Sequence, residues 1–510
     1  MSSALVPQPR SFKDTTDSVV WESPLRVSVP AKWRHVVESF GDDLAASVGW
    51  EVRIVAAGED CDIEIREHPE FALEQTELRI SKVTFLWASS DVGVNHAFTV
   101  LRQLGPAALW STARVELPSF ELPCGTVKDG PLFKWRGVHL DVARHFFDVE
   151  TVCRLIDQIA AHRLNRLHLH LNDDQGWRVE VPAWPRLTEI GSRRRSSPLG
   201  HERDGVDDNV PHAGFYTAGD LATIRDHAAR RFVQIIPEID LPGHAQAVIA
   251  AYPELGNTTE PLEVWTRWGI SEHVLNVDDS TLAFAEEVLL YVASLFPGSP
   301  VHIGGDECPT AEWEASADAR ALMRRLGLED VRALQGLFTK RLTTALQDHG
   351  HDVIAWDEVL DAPMLAGTII AAWRSSEKGT EAAERGFDVI MAPMQYLYFD
   401  WLNSLDADEP VAQAPDPYAT PWEKVYGFSI IPDEVDPSRR YHFLGAQAEL
   451  WSEYIATREH LDYMAFPRLA AFSEVVWGTA RTLEHFRPRL EGHLQRLDAM
   501  GVNYRPLDLT

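Results

Sequence analysis

The sequence predicts an α/β protein: a (β/α)8 barrel of the TIM type over residues 131–510, preceded by a small mixed α/β domain over residues 1–130. Three observations predict it. After residue 131, short apolar segments alternate with longer helical ones, eight times. The short segments run continuously apolar, as strands of a parallel sheet covered on both faces do. Each also ends in polar or aromatic residues, as barrel strands do at the mouth where active sites sit. A doubly wound open sheet is the alternative arrangement of the same elements.

The eight strand segments are WRGVHLDVA (135–143), NRLHLHLN (165–172), VQIIPEID (233–240), VHIGGDE (301–307), VIAWDEV (353–359), GTIIAAW (367–373), DVIMAPM (388–394) and FLGAQAELW (443–451). Helical periodicity falls between them at 148–163, 217–231, 280–296 and 332–349. Thr217 and Asp220 have the spacing of a capping box. In the small N-terminal domain, helices are predicted over 31–48 and 91–104, and strands over 51–56, 61–66 and 81–88. The stretch LPCGTVKDGP (122–131), rich in Gly and Pro, reads as the boundary.

Composition excludes several function classes. Asp plus Glu number 77 against 47 Lys plus Arg, a net charge of −30, which argues against a nucleic-acid partner. No apolar run is long enough to make a membrane-spanning helix. Four cysteines without a CxxC pair make neither a zinc ribbon nor a disulfide framework. The N-terminus shows no export signal, so a cytoplasmic protein is expected, or a secreted one whose signal has been trimmed. Nothing in the chain decides between monomer and homodimer.

The strand ends carry the chemistry. The first ends in Asp141 and Arg144, the second in Asp173-Asp174, and the third carries Glu238 and Asp240 with His244 just beyond. The fourth ends in Asp306-Glu307, the fifth and sixth in Trp356-Asp357 and Trp373. Tyr398 and Asp400 follow the seventh, and Trp451 and Glu453 end the eighth. Carboxylates accept hydrogen bonds from hydroxyls and indoles stack on sugar rings, so a small carbohydrate is the expected partner. Gly304-Gly305 frees the backbone to turn both acids of the Asp306-Glu307 pair inward. Crowded acids in a partly dry mouth have their proton affinities pushed apart, which suits glycosidic cleavage.

The segments LDVARHFF (140–147), HLHLNDDQGWR (168–178), PEIDLPGH (237–244), HIGGDE (302–307), AWDE (355–358), YFD (398–400) and ELWSE (449–453) resemble, in the same order, the family 20 glycoside hydrolases, the β-N-acetylhexosaminidases. The resemblance covers roughly residues 132–500, and the segment ahead of it resembles the small domain preceding that barrel. It implies exo-acting removal of terminal N-acetylglucosamine or N-acetylgalactosamine with retention, and no cofactor or metal. The substrate's own acetamido oxygen would be the nucleophile, an exception to the two-carboxylate scheme. By resemblance, Glu307 is general acid then base, and Asp306 orients the acetamido group. Arg144, Asp173, Asp400 and Glu453 would bind hydroxyls. Trp356, Trp373 and Trp451 would wall the pocket, Tyr398 would bond the acetamido oxygen, and Trp422 would stack on the next sugar. Asp240 and His244 would form a relay supporting Glu307. The polar segment 193–214 is expected to rim the pocket.

Other readings stay open at this point. His168 and His170 form an HxH like that of metal-dependent barrels. A sugar-binding barrel without catalysis would need the Asp306-Glu307 pair replaced. A longer pocket would release disaccharides. Cys308, beside the acid, is either a redox-sensitive thiol or a small buried hydrophobe.

Overall fold

The computed structural model describes residues 5–362, 365–406, 408–413, 418–479 and 482–507. All eight predicted segments form strands of one closed parallel barrel. They are β1 (Trp135–Asp141), β2 (Arg166–His170), β3 (Gln234–Glu238), β4 (Val301–His302), β5 (Val353–Trp356), β6 (Thr368–Ala372), β7 (Val389–Met391) and β8 (Phe443–Leu450). Closure joins β8 to β1, with Leu450 opposite Leu140. Among the described residues, no helix is long and apolar enough to cross a membrane.

The apolar runs have two destinations because alternate residues face opposite ways. One set packs outward against the surrounding helices, as Val138, Leu140, Leu167 and Leu169 do. The other fills the barrel with Trp135, Ile236, Ile354, Ala371 and Ile390. Register then decides what lies above that floor. His170 pairs with both Asp141 and Glu238, and Glu238 pairs with His302, so polar residues from four neighbouring strands share one level. The helices sit where periodicity places them. The one over Ala218–Arg230 starts with the predicted box: Thr217 Oγ1 accepts from the Asp220 amide, and Asp220 Oδ2 from the Thr217 amide.

The first part of the chain is a seven-stranded mixed sheet carrying helices Arg34–Val48 and Asp91–Leu104. The helices meet through stacked Phe40 and Phe98, 4.2 Å apart. Most of the boundary stretch 122–131 is itself strand. Ser119–Asp129 is a strand between Ser11–Glu22 and Thr76–Ile80. Its Pro123 pairs with Ser18, beside a register shift that tolerates a missing N–H. Gly125 lies so close to the Lys13 carbonyl that a side chain would not fit. The chain leaves the sheet at Gly130, and Trp477 Nε1 donates to Asp129 Oδ1 (2.7 Å) across to the barrel.

Candidate active site

The strand ends meet around a cavity of about 440 Å³ at the carboxyl end of the barrel, within the range of small-ligand pockets. Its acid pair hangs beyond β4. The ladder stops at His302 because Gly304 (φ +67°) and Gly305 (φ +94°) take left-handed conformations. A side chain on Gly304 would overlap the Asp240 carboxylate, so glycine is needed for that approach. Glu307 itself has φ +47°, an unusual value for a non-glycine residue and one found at functional sites.

The two acids end in different surroundings. Asp306 is buried at 8% exposure, with carboxylate oxygens of Asp240 and Asp306 and a ring nitrogen of His244 all within 4.8 Å of one another. Burial, and then the Asp240 carboxylate, push the Asp306 carboxyl well above the ordinary carboxylate range. Burial lifts Asp240 to about 7. The Glu307 side chain is 34% exposed, with Oε2 3.7 Å from His244 Nε2. His244 also has a positive φ, +47°, and its Nδ1 lies 3.1 Å from Asp173 Oδ1.

The relay to Glu307 therefore runs through His244 from Asp173, which corrects the expected role of Asp240. Asp240 sits on the other side, against Asp306, with Oδ1 accepting from the Gly305 amide (2.8 Å). Asp173 was expected to bind hydroxyls, yet each of its oxygens has protein partners. Oδ2 lies 2.9 Å from Arg144 Nη2 and 2.8 Å from His170 Nε2. Burial opposes its charge, but Arg144 and His244 outweigh burial and hold it well below the usual range.

Arg144 is clamped as well, by Gln175 at Nε (2.9 Å) and Asp141 at Nη1 (3.2 Å), over the Trp451 ring. On the facing wall Trp373 and Tyr398 lie nearly parallel, 6.0 Å apart. Trp373 is steadied by its Nε1–H donating to Glu358 Oε2 (2.7 Å). Asp400 and Glu453 line the cavity beside them. Asp306 Oδ1, Asp400 Oδ1, Glu453 Oε2 and Trp451 Nε1 are buried without a hydrogen-bond partner among the described residues. Leaving such atoms unsatisfied costs about 1–3 kcal/mol each, so the wall is built for a ligand rich in hydroxyl and amide groups.

Two tryptophans are not where they were expected. Trp356 is fully buried, its indole N–H held by Glu238 Oε1 (2.8 Å) with the rings of His168 and His302 against it. Trp422 does not reach the cavity. It begins the short helix Trp422–Tyr426 and packs on Phe486 in the main core. Trp401 lines the cavity, although the sequence reading did not single it out. His201, from the segment expected at the rim, does so too, as do Ile270, Met394 and Gln413. The HxH histidines both face Glu238, and Gln447 Nε2 lies 3.0 Å from His168 Nδ1. Cys308 is a poor thiolate: burial, then Asp240, raise its pKa.

Two buried arginines that the sequence reading passed over hold the mouth together. Arg468 donates to the carbonyls of Phe399 (2.6 Å) and Trp401 (2.9 Å), fixing the turn that presents Tyr398, Asp400 and Trp401. Arg178 donates to those of Val142 (3.0 Å) and Ala143, bracing the loop that carries Arg144. A signal for the first was present: one arginine inside the apolar helix RLAAFSEVVW (468–477).

Fold and site together define the class, a carbohydrate-active (β/α)8 barrel. Comparison with known proteins narrows it. The catalytic-domain pattern of glycosyl hydrolase family 20 matches residues 133–480, so the chain belongs to that family. A β-hexosaminidase of Porphyromonas gingivalis is 36% identical over 98% of this chain and 64% of its own length. One from Vibrio furnissii is 34% identical over 81% of this chain and 66% of its own length. This chain thus spans somewhat less than two thirds of each. The solved family 20 exo-β-N-acetylglucosaminidase of Vibrio harveyi, in complex with N-acetylglucosamine, superposes with a TM-score of 0.87. It is 31% identical, covering 99% of this chain and 79% of that one.

Proposed function

We propose that this protein is an exo-acting, retaining β-N-acetylhexosaminidase that uses the substrate's acetamido group as nucleophile. The observation that carries the reading is the unlike setting of two neighbouring acids. Glu307 is half-open to the cavity and backed by His244, whereas Asp306 is buried against Asp240. An acid that must give and retake a proton needs access, and one that must organise an amide needs a fixed, dry position.

The steps follow. A terminal sugar enters with its ring among Trp373, Tyr398 and Trp451, and its hydroxyls toward Arg144, Asp400 and Glu453. Glu307 protonates the glycosidic oxygen. The acetamido carbonyl oxygen attacks C1 as the C1–O bond breaks, closing an oxazolinium ring. Asp306 accepts a hydrogen bond from the acetamido N–H and stabilises the positive charge growing there, while Tyr398 donates to the oxygen. Glu307, now a carboxylate, takes a proton from water, which attacks C1 on the side the leaving group left and reopens the ring. Intramolecular attack can lower the barrier by several kcal/mol because no separate nucleophile must be ordered.

A thiazoline analogue of N-acetylglucosamine copies the cyclised intermediate in a form water opens slowly. Its inhibition constant is expected to lie at least about 10²-fold below the KM of a nitrophenyl N-acetylglucosaminide, as for other mimics of the activated state. Steady-state inhibition reads this directly, and an inhibition constant near the KM would overturn the cyclised intermediate.

A further inference from the structure

Beneath the cavity lies a polar layer that the proposed steps do not touch. Such a level of a (β/α)8 barrel is commonly packed with Val, Ile and Leu. Here it holds His139, His168, His170, Glu238, His302 and Glu449, all fully or almost fully buried. Glu238 is its centre. Oε1 lies 2.8 Å from Trp356 Nε1 and 2.8 Å from His302 Nδ1. Oε2 lies 3.1 Å from His168 Nε2 and is bonded to His170 Nδ1. Burying a charge is expensive unless its surroundings answer it, so this carboxylate needs a reason.

The contacts lead upward in one line. The second nitrogen of His170, Nε2, is 2.8 Å from Asp173 Oδ2. Asp173 Oδ1 is 3.1 Å from His244 Nδ1, and His244 Nε2 is 3.7 Å from Glu307 Oε2. Carboxylate and imidazole alternate from the interior of the barrel to the acid, and each imidazole spends both nitrogens on the line. Other groups face the line as well. Arg144 and the Asp174 amide face Asp173, and the carboxylates of Asp174 and Asp306 stand 3.6 and 3.8 Å from His244. His139 stands within 4.8 Å of His170 and Glu238, and Glu449 is held by Gln447 (3.2 Å).

We propose that Glu238, out of reach of substrate, is a positioning residue for Glu307: it holds a proton on His170, which anchors Asp173 Oδ2 so that Oδ1 stays aimed at His244, and so keeps an oriented imidazole against the acid. The inference rests on the reading of Glu307 as acid and base. Charge agrees with geometry. Burial opposes a charge on His170, but Glu238 and Asp173 outweigh it and push the imidazole up to about 10. Burial drives His168 down to about 4 and His139 well below its ordinary value, so these two neighbours stay neutral and do not compete.

The test is Glu238→Gln in the full chain, followed by pH profiles of kcat/KM on N,N′-diacetylchitobiose. Without the Glu238 charge, His170 has only Asp173 to hold its proton and loses it within the assay range. The alkaline limb is expected to move toward lower pH by about one unit or more. On the same substrate kcat should fall about tenfold or more with KM nearly unchanged. Glu238→Asp, which restores the charge, should return the limb toward its original position. A lower kcat with the limb unmoved would reduce Glu238 to a packing role and overturn the proposal. Should the Gln variant not fold, neutron diffraction on the unaltered protein at neutral pH decides. Deuterons on both nitrogens of His170 are expected, and a singly protonated ring overturns the proposal. If Glu307→Gln showed no dependence on the leaving group, the acid reading would fail first. If it showed that dependence while the Glu238→Gln limb stayed put, only this inference would fail.

Discussion

Glu307→Gln is expected to lose about 10³-fold or more in kcat on N,N′-diacetylchitobiose, within the range for removing a general acid. On an aryl glycoside with a good leaving group the loss should be markedly smaller, because departure then needs no proton. The reason is local. Glutamine keeps the size of Glu307 and its place at the cavity wall, but carries no transferable proton to the glycosidic oxygen. Deglycosylation still needs a base, so some loss remains on both substrates. Steady-state kinetics on the pair measure this, and equal losses would remove Glu307 from the acid role.

Asp306→Asn should lower kcat/KM on N-acetylglucosaminides by about 10²–10³-fold, the range for deleting one group aimed at developing charge. Affinity for the thiazoline should fall with it. Stability should move the other way. The Asp306 carboxyl has a folded-state pKa well above the unfolded value of about 3.9. Relative to that carboxyl, stability is fully present below about pH 4 and is lost as pH rises toward the folded pKa. Asparagine carries no such burden, so the variant should melt higher than the parent at pH 8 and at nearly the same temperature near pH 4. Activity and stability pull apart because the buried carboxylate is kept for chemistry. A variant that melted lower at pH 8 would contradict this account of Asp306.

Much of the barrel was readable because its strands are covered on both faces, which leaves continuous apolar runs that surface noise does not interrupt. Gly304-Gly305 was readable because only glycine suits the turn there. The N-terminal sheet was less so. Ser11–Glu22 is largely exposed and polar, and Ser119–Asp129 holds Pro and Gly at a register shift, so neither has the pattern of a strand. At the site, residue types at strand ends were legible, but the partner of each was not. Which carboxylate stands behind His244 depends on how β2 and β3 lie side by side, and the sequence points to Asp240 where the structure places Asp173. Trp401 and Trp422 both follow β7. What separates them is that Trp422 docks on Phe486, far later in the chain, a contact no local pattern announces. Arg468 and Arg178 act on backbone carbonyls, whose identity leaves no mark on the sequence; only the lone arginine in the apolar helix 468–477 hints at the first.

The central claim is that the acetamido group takes part in the reaction. Rates on a set of nitrophenyl glycosides test it most directly: the β-N-acetylglucosaminide, the β-N-acetylgalactosaminide and the plain β-glucoside, which keeps the ring and leaving group but has a hydroxyl in place of the acetamido group. Losing an intramolecular nucleophile of high effective molarity should make the glucoside slower by about 10⁴-fold or more in kcat/KM. Hydrolysis of the glucoside at a rate comparable to the acetamido sugars would contradict the account, since an ordinary nucleophile would then have to stand in the cavity in its place.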